Sequence, residues 1–327
     1  MEINKDKLRP FYIAKLLYEN TDEDHYLTNK QIIEILFSKY GIDTTRQTIS
    51  EDLKLLKALG LEIETIATSE NRYHLIWRLF DLPELKTLID AVSSARFIPK
   101  GKSAELVNKL CTLTSTYNAA KLVRNVDVEH RIKAMNEKVY YIMEALNDAI
   151  NMKKMVSFCY FAYDVNKQQK EKHDGYIYYF SPYELIWNGD YYYVVGYSEK
   201  HQLITSFRVD RIARQPKILE ADAAVPPADF NINFFLNTMF RMYSGERENV
   251  TLLCDNDVMD TIIDRFGIDA ETRIVSPDRF KVSVTTAVGH VFYGWIFGFG
   301  GKVSIVSPEN VRQGYKDMVL REAARLE

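Results

Sequence analysis

Residues 181–212 read SPYELIWNGDYYYVVGYSEKHQLITSFRVDRI, and this stretch decides how the middle of the chain folds. Apolar and aromatic residues fall at every second place, first Leu185 and Trp187, then Tyr191, Tyr193, Val195 and Tyr197, which is the period of half-buried strands. Asn188-Gly189-Asp190 supplies the tight turn between the two runs. A third strand, Ile204 to Val209, ends in Phe-Arg-Val-Asp-Arg-Ile, so alternation sends Phe207 and Val209 to one face and Arg208 and Asp210 to the other. The prediction is a β-meander in a small sheet, with Arg208 and Arg211 near one edge as a candidate anion site.

Working outward, a strand is expected from Met155 to Tyr163, a polar loop from Asp164 to Asp174 and a strand from Gly175 to Phe180. Towards the N-terminus, residues 5–80 read as three helices and a hairpin. Phe11, Ile13, Leu16 and Leu17 mark the first helix. Thr28 caps a second that carries Ile32, Ile33, Leu36 and Phe37 and stops at Gly41. The third starts at Asp43 or Thr44 and stops at Gly60. Its Ile49, Leu53 and Leu56 recur at helical spacing and turn Arg46, Gln47, Ser50, Glu51, Lys54 and Lys57 outward. Strands Leu61–Ala67 and Arg72–Trp77 then flank a turn, Thr68 to Asn71. That is the pattern of a winged helix-turn-helix, whose third helix reads DNA. The bland alternative is a small domain that never touches nucleic acid, since residues 1–80 hold eleven Lys or Arg against thirteen Asp or Glu. Candidate DNA contacts are Thr45, Arg46, Gln47, Thr48 and Ser50 at the start of the helix, with Lys54 and the wing residue Arg72 on phosphate.

From Asp81 to Lys154 the apolar period is helical, with a break at Pro99-Lys100-Gly101, and predicts a packed connector that also pairs two subunits. After a linker from Ala221 to Asp229, a helix is expected at Asn233–Tyr243. Strand, helix, two strands, helix, strand and a last helix follow, which is the ferredoxin-like βαββαβ order.

The totals set bounds on function. A chain of 327 residues suggests two or three domains of ~100–150 residues. A net charge of −3 gives no global pull towards nucleic acid, so such binding must come from a local patch. Cys111, Cys159 and Cys254 form no CxxC, the N-terminus lacks an apolar leader and no long apolar run occurs, which points to the cytoplasm. Gly298-Phe299-Gly300-Gly301-Lys302 lacks the phosphate-loop spacing, the six histidines are dispersed, and no nucleophile motif is present. Neither catalysis, a cofactor nor a metal is expected.

Three strings carry a family resemblance. Pro182-Tyr183-Glu184-Leu185, Tyr192-Tyr193-Val194-Val195-Gly196-Tyr197 and Phe207-Arg208-Val209-Asp210-Arg211-Ile212 resemble the WYL domain of bacterial transcriptional regulators. Tyr192 stands where that family has Trp and Val194 where it has Leu. Tyr178 replaces an arginine that often precedes the proline by four residues, which implies a less basic pocket. Glu51 is a second departure, because the family usually has Arg just before Asp52-Leu53.

The resemblance covers nearly the whole chain and implies an α+β multidomain protein. Its parts are a winged helix-turn-helix domain over 1–80, a helical connector over 81–154, an Sm-like small β-barrel over 155–220 and a ferredoxin-like C-terminal extension over 230–327. It implies a homodimeric regulator, a repressor, on a palindromic DNA operator. A nucleic-acid or nucleotide effector would bind at Tyr178, Ser181, Tyr183, Tyr193, Arg208 and Arg211. Some members of the family are encoded beside phage-defence systems. The competing reading is an accessory protein that holds single-stranded nucleic acid by stacking and charge, without an operator.

Overall fold

A computed structural model describes residues 5–67, 69–124, 133–134, 136–228, 230–232 and 246–326. The helix expected at Asn233–Tyr243 and the turn residue Thr68 lie outside the described residues. The architecture is mixed α+β with several sheets, and the chain divides into two units, Met1–Glu137 and Lys138–Glu327.

In the first unit, α1 (Lys5–Asn20), β1 (Leu27–Thr28), α2 (Asn29–Tyr40), α3 (Arg46–Ala58), β2 (Ile63–Ile66) and β3 (Arg72–Leu75) enclose one core. Thr28 and Gln31 form a reciprocal cap at the start of α2, and Gly41, at φ 65°, ends it in the left-handed conformation that glycine adopts at least cost. Ile13, Leu16, Leu17, Ile32, Leu36, Ile49, Leu53 and Leu56 are buried together. Phe11 and Phe37, expected beside them, are 66% and 64% exposed because they sit off the stripe that faces the other helices. The hairpin pairs Ile63 with Leu75 and Ile66 with Arg72; its first strand is shorter at both ends than the sequence suggests, and its second starts at Arg72 as expected but ends two residues earlier. Leu27–Thr28 adds a third strand, pairing with Tyr73 and Arg72, a two-residue element too short for any periodicity to reveal.

Three more helices follow, α4 (Leu82–Ser94), α5 (Lys100–Cys111) and α6 (Thr116–Val123), packed around Leu85, Ile89, Val107 and Leu122. Asp22, buried at the end of α1, fastens α6 to the first three helices. It accepts a hydrogen bond from Ser115, the N-cap of α6, and its Oδ1 lies 2.6 Å from Nδ1 of His25, whose ring stacks on Tyr117.

The second unit opens with α7 (Val139–Met152). Grouped with the connector on periodicity, this helix in fact packs on the following sheet through Val139, Ile142, Leu146 and Ala149. The sheet comprises β4 (Lys154–Cys159), β7 (Ile177–Asn188), β8 (Tyr191–Ser198), β9 (Leu203–Arg208) and β10 (Lys217–Asp222) in the antiparallel order β10-β4-β7-β8-β9. A separate hairpin, β5 (Phe161–Tyr163) and β6 (Gln169–Glu171), fills what reads in the sequence as strand end and polar loop. Beyond β9 the chain curls back to the end of β4, where Tyr160 bridges Ile212 and the Ala213 amide donates to the Cys159 carbonyl at 2.9 Å.

Gly196 makes the curl possible. It lies opposite Pro182 beside the bulge between Pro182 and Glu184, and a Cβ on it would stand 2.1 Å from the Ser181 carbonyl oxygen. Only glycine admits that approach.

The C-terminal part runs β11 (Glu246–Asp255), α8 (Met259–Phe266), β12 (Glu271–Ser276), β13 (Arg279–Val288), α9 (His290–Phe297), β14 (Val303–Ser307) and α10 (Glu309–Ala323). Its strands lie in the order β12-β13-β11-β14, each antiparallel to its neighbours, and the helices bury Ile262, Phe292, Ile296 and Val311 against Leu252, Phe280 and Val282. Ala287 of β13 packs with Tyr193 and Val195 of β8, where the C-terminal part touches the preceding sheet.

Candidate functional site

Two surfaces hold the residues singled out from the sequence. The first is the start of α3. Thr45 caps the helix, its hydroxyl oxygen accepting from the Thr48 amide at 3.3 Å, so the helix begins two residues or so later than the sequence suggests. Burial of Ile49, Leu53 and Leu56 fixes the rotation of the helix and leaves Thr45, Arg46, Gln47, Glu51 and Lys54 exposed. Arg46 and Lys54 make no ion pair among the described residues. Thr48 and Ser50 are half-buried; the Ser50 hydroxyl donates to the Arg46 carbonyl at 2.9 Å, and Gln47 donates to the Glu51 carboxylate at 3.2 Å. Glu51 is therefore partly occupied by its own helix neighbour. Arg72 is drawn off: it donates to the Tyr26 hydroxyl and lies 4.4 Å from the centre of that ring.

Sequence reasoning missed Asp52. It is buried, and its Oδ2 lies 2.5 Å from Nε of Arg9, which ties α1 to α3 beneath the exposed face. The signal was available, since an acid at i+3 between Ile49 and Leu53 falls on the apolar stripe, where a carboxylate requires a partner.

The second surface is the sheet around Arg208. Register sets Ser181, Tyr193 and Arg208 on one face and Tyr178 on the other. Tyr178 belongs to the core with Phe158, Phe180 and Phe207, and burial pushes its hydroxyl pKa up. Tyr193 is closed over by Ala287. Ser181 is buried and accepts from the Ala224 amide at 2.9 Å. Tyr183 is half-buried against Phe230, ring centres 5.6 Å apart.

Arg208 grips Asp210 with both ends of its fork, Nε to Oδ1 at 3.0 Å and a terminal nitrogen to Oδ2 at 2.7 Å, and its carbon lies 3.3 Å from the centre of the Tyr191 ring. Burial works against its charge, but the Asp210 carboxylate more than offsets this and raises the arginine pKa further. Tyr160, half-buried, accepts from the Arg208 amide at 3.2 Å, and burial of its hydroxyl pushes its pKa up.

Of the six expected residues, then, three are buried and committed, Tyr183 is partly covered and Arg208 is held by its own acid. Arg211 is different. Among the described residues it has no carboxylate partner, and it stands 4.6 Å from the centre of Tyr163 and 5.7 Å from that of Phe161, rings that belong to the hairpin the sequence did not reveal. A guanidinium beside two rings can take a phosphate, with the rings near enough to stack a base.

Against known families, residues 141–216 match the WYL domain and residues 246–323 the WCX domain. The chain thus carries a WYL domain followed by a WCX domain. Among solved structures, this WYL-domain chain is similar at 19% identity to proteasome accessory factor B/C (PafBC) of Arthrobacter aurescens, over 95% of its own length and 45% of that chain, with a TM-score of 0.29. It therefore spans less than half of the PafBC chain. A CRISPR Cas-related protein is 14% identical over 98% of this chain and 85% of the other, with a TM-score of 0.37. No curated protein matches. The WYL match begins inside α7, in keeping with that helix packing on the sheet.

Proposed function

We propose that this WYL-domain protein is a DNA-binding transcriptional regulator, a repressor and not an enzyme, which binds a palindromic operator as a homodimer and answers to a nucleic-acid or nucleotide effector. In this reading α1 to β3 act as a winged helix-turn-helix, the sheet closed at Tyr160 and Ile212 as an Sm-like barrel, and the antiparallel C-terminal sheet as a ferredoxin-like cover. The observation that carries it is the face of α3. A capped helix with its apolar stripe buried offers Arg46, Gln47 and Lys54 outward, the first and last without an ion-pair partner among the described residues, and is followed directly by a hairpin. The N-terminal end of such a helix reaches base edges, while outlying lysines meet phosphate.

The effector half of the reading rests on Arg211, a cation with no carboxylate partner among the described residues, beside the two aromatic rings of one hairpin. Footprinting on the DNA upstream of the protein's own gene tests the whole. A regulator protects a symmetrical site whose half-site centres lie one or two helical turns apart, ~34 Å per turn. Length-dependent binding of single strands, with no protected duplex, supports the accessory-protein reading instead. Sedimentation at micromolar concentration that shows only a 38.0 kDa monomer, with and without operator, speaks against the dimer.

A further inference from the structure

The C-terminal sheet ends on a bare strand. Thr272 and Ile274 of β12 lie opposite Val282 and Phe280, so they belong to the face that α8, α9 and α10 cover. Those helices close over β13, β11 and β14, and no residue of β12 joins their core. Ile274 is 83% exposed in consequence, and Glu271 to Val275 are exposed on both faces of the strand. Among the described residues no strand lies beyond β12, so one row of its amides and carbonyls meets water.

The charges on the other face decide what such an edge accepts. Glu271 and Arg273 stand two residues apart there, opposite Ser283 and Lys281 of β13. Arg273 therefore has a second cation as its direct cross-strand neighbour, which a sheet disfavours. Arg279, farther along the same face, is already paired with Asp255 at 3.0 Å. Among the described residues neither Arg273 nor Lys281 has a carboxylate in ion-pair contact, and Glu271 has no cation. Charges of one sign on an edge repel a second copy, but an acid and a base two residues apart complement themselves when the strand pairs antiparallel with its own twin. A two-fold axis normal to the sheet sets one residue opposite itself. Centred on Thr272, it brings Glu271 of each copy opposite Arg273 of the other, and gives Ile274 an apolar neighbour in Ala270 of the second copy. Centred on Arg273, it sets arginine against arginine with Lys281 outside each, and centred on Ile274 it runs through the bulge between Ile274 and Ser276.

We propose that β12 is a self-pairing edge, through which a second copy of this chain joins its four-stranded C-terminal sheet to the first, with Thr272 on the two-fold axis. This rests on the homodimer of the reading above and names the strand that builds it.

Charge exchange in the full chain tests the seam, read by sedimentation equilibrium. Arg273→Glu and Glu271→Arg should each raise the dimer dissociation constant about tenfold or more, because the two-fold axis repeats every change. The double exchange restores complementarity and should return to within about threefold of the parent. Cysteines give a second readout that does not depend on charge. Thr272→Cys should link two chains under mild oxidation, since Cα atoms of directly opposed residues stand about 4.5–5.5 Å apart, within disulfide reach. Ile274→Cys should not, because its twin lies about 13 Å away along the strand. The parent, oxidised alongside, accounts for Cys111, Cys159 and Cys254. All four altered positions are exposed, so each variant should melt like the parent. A parent that stays monomeric defeats the homodimer reading and the seam with it. A dimeric parent whose single exchanges associate as tightly as before, whose double exchange stays as weak as the single ones, or which links through Ile274→Cys rather than Thr272→Cys overturns the seam alone and leaves the homodimer standing.

Discussion

The first turn of α3 and the end of β9 carry the same kind of cation and use it in opposite ways. Arg46 stands on an exposed helix start, over a cap made by Thr45, and its guanidinium has no ion-pair partner among the described residues. Arg208 stands half-buried on a strand, two residues before an acid that it grips with both ends of its fork, and on top of an aromatic ring. The difference teaches that an arginine's type says little about its work. Where burial is shallow and no acid lies within reach, the charge is left for a ligand. Where burial is deep enough to demand neutralisation, the nearest carboxylate claims it.

The contrast can be broken first at the glycine that lets the sheet curl. Gly196→Ala places a methyl group 2.1 Å from a main-chain oxygen that the bulge holds in place, so it should cost about 3 kcal/mol or more, seen as a lower melting temperature of the second unit. A melt like that of the parent would mean that β7 and β8 are looser than drawn. Next in size is Asp210→Ala, which strands a half-buried guanidinium and should cost about 2–3 kcal/mol. If Asp210→Ala melted normally, Arg208 would have to be counted as a free cation after all.

The joint in the first unit gives a smaller and pH-dependent effect. Burial works against the charge of Asp22, but hydrogen bonds from Ser115 and His25 outweigh it and hold its pKa below the ordinary 3.8. A depressed carboxylate stabilises the fold above the unfolded value and loses that contribution as pH falls through the folded value. Asp22→Asn should therefore remove about 1 kcal/mol near neutrality and flatten the loss of stability below about pH 4. Thermal melts of the two proteins between pH 2 and 7, roughly the range over which a carboxylate titrates, check this; parallel curves would contradict it. Smallest is Arg211→Ala, which should shift stability by no more than about 0.5 kcal/mol while weakening binding of short oligonucleotides. Arg211→Ala that unfolds the sheet, or that binds oligonucleotides like the parent, would remove Arg211 from the proposed site.

Much of this was legible in the sequence where the cause is local. Alternation at Tyr191 to Tyr197 fixes a strand, Thr28 and Gly41 punctuate a helix, and Ile49, Leu53 and Leu56 fix the rotation of α3. What was hidden depends on partners distant in the chain. Arg9 lies 43 residues from Asp52, and nothing in either segment announces the other. Tyr178 looks like a pocket residue until register sets it on the core face, and Tyr193 until Ala287 covers it. The hairpin Phe161–Tyr163 with Gln169–Glu171, which brings two rings to Arg211, is too short to show a period. Arg208 was an intermediate case. Asp210, two residues on, made the ion pair foreseeable, yet only the burial around it decides between a structural pair and an open site.

On the reading proposed above, the outward face of α3 binds DNA and holds nothing else together. Arg46→Ala with Gln47→Ala in one chain tests it most directly, by operator affinity and thermal melt on the same preparation. Both side chains are exposed and outside the core, so the melt should match the parent within about 0.5 kcal/mol. Operator affinity should fall by about 1–3 kcal/mol or more, roughly tenfold to a hundredfold, if Arg46 grips a guanine. An unchanged affinity for the operator in a normally folded double variant would contradict the assignment of this helix to DNA.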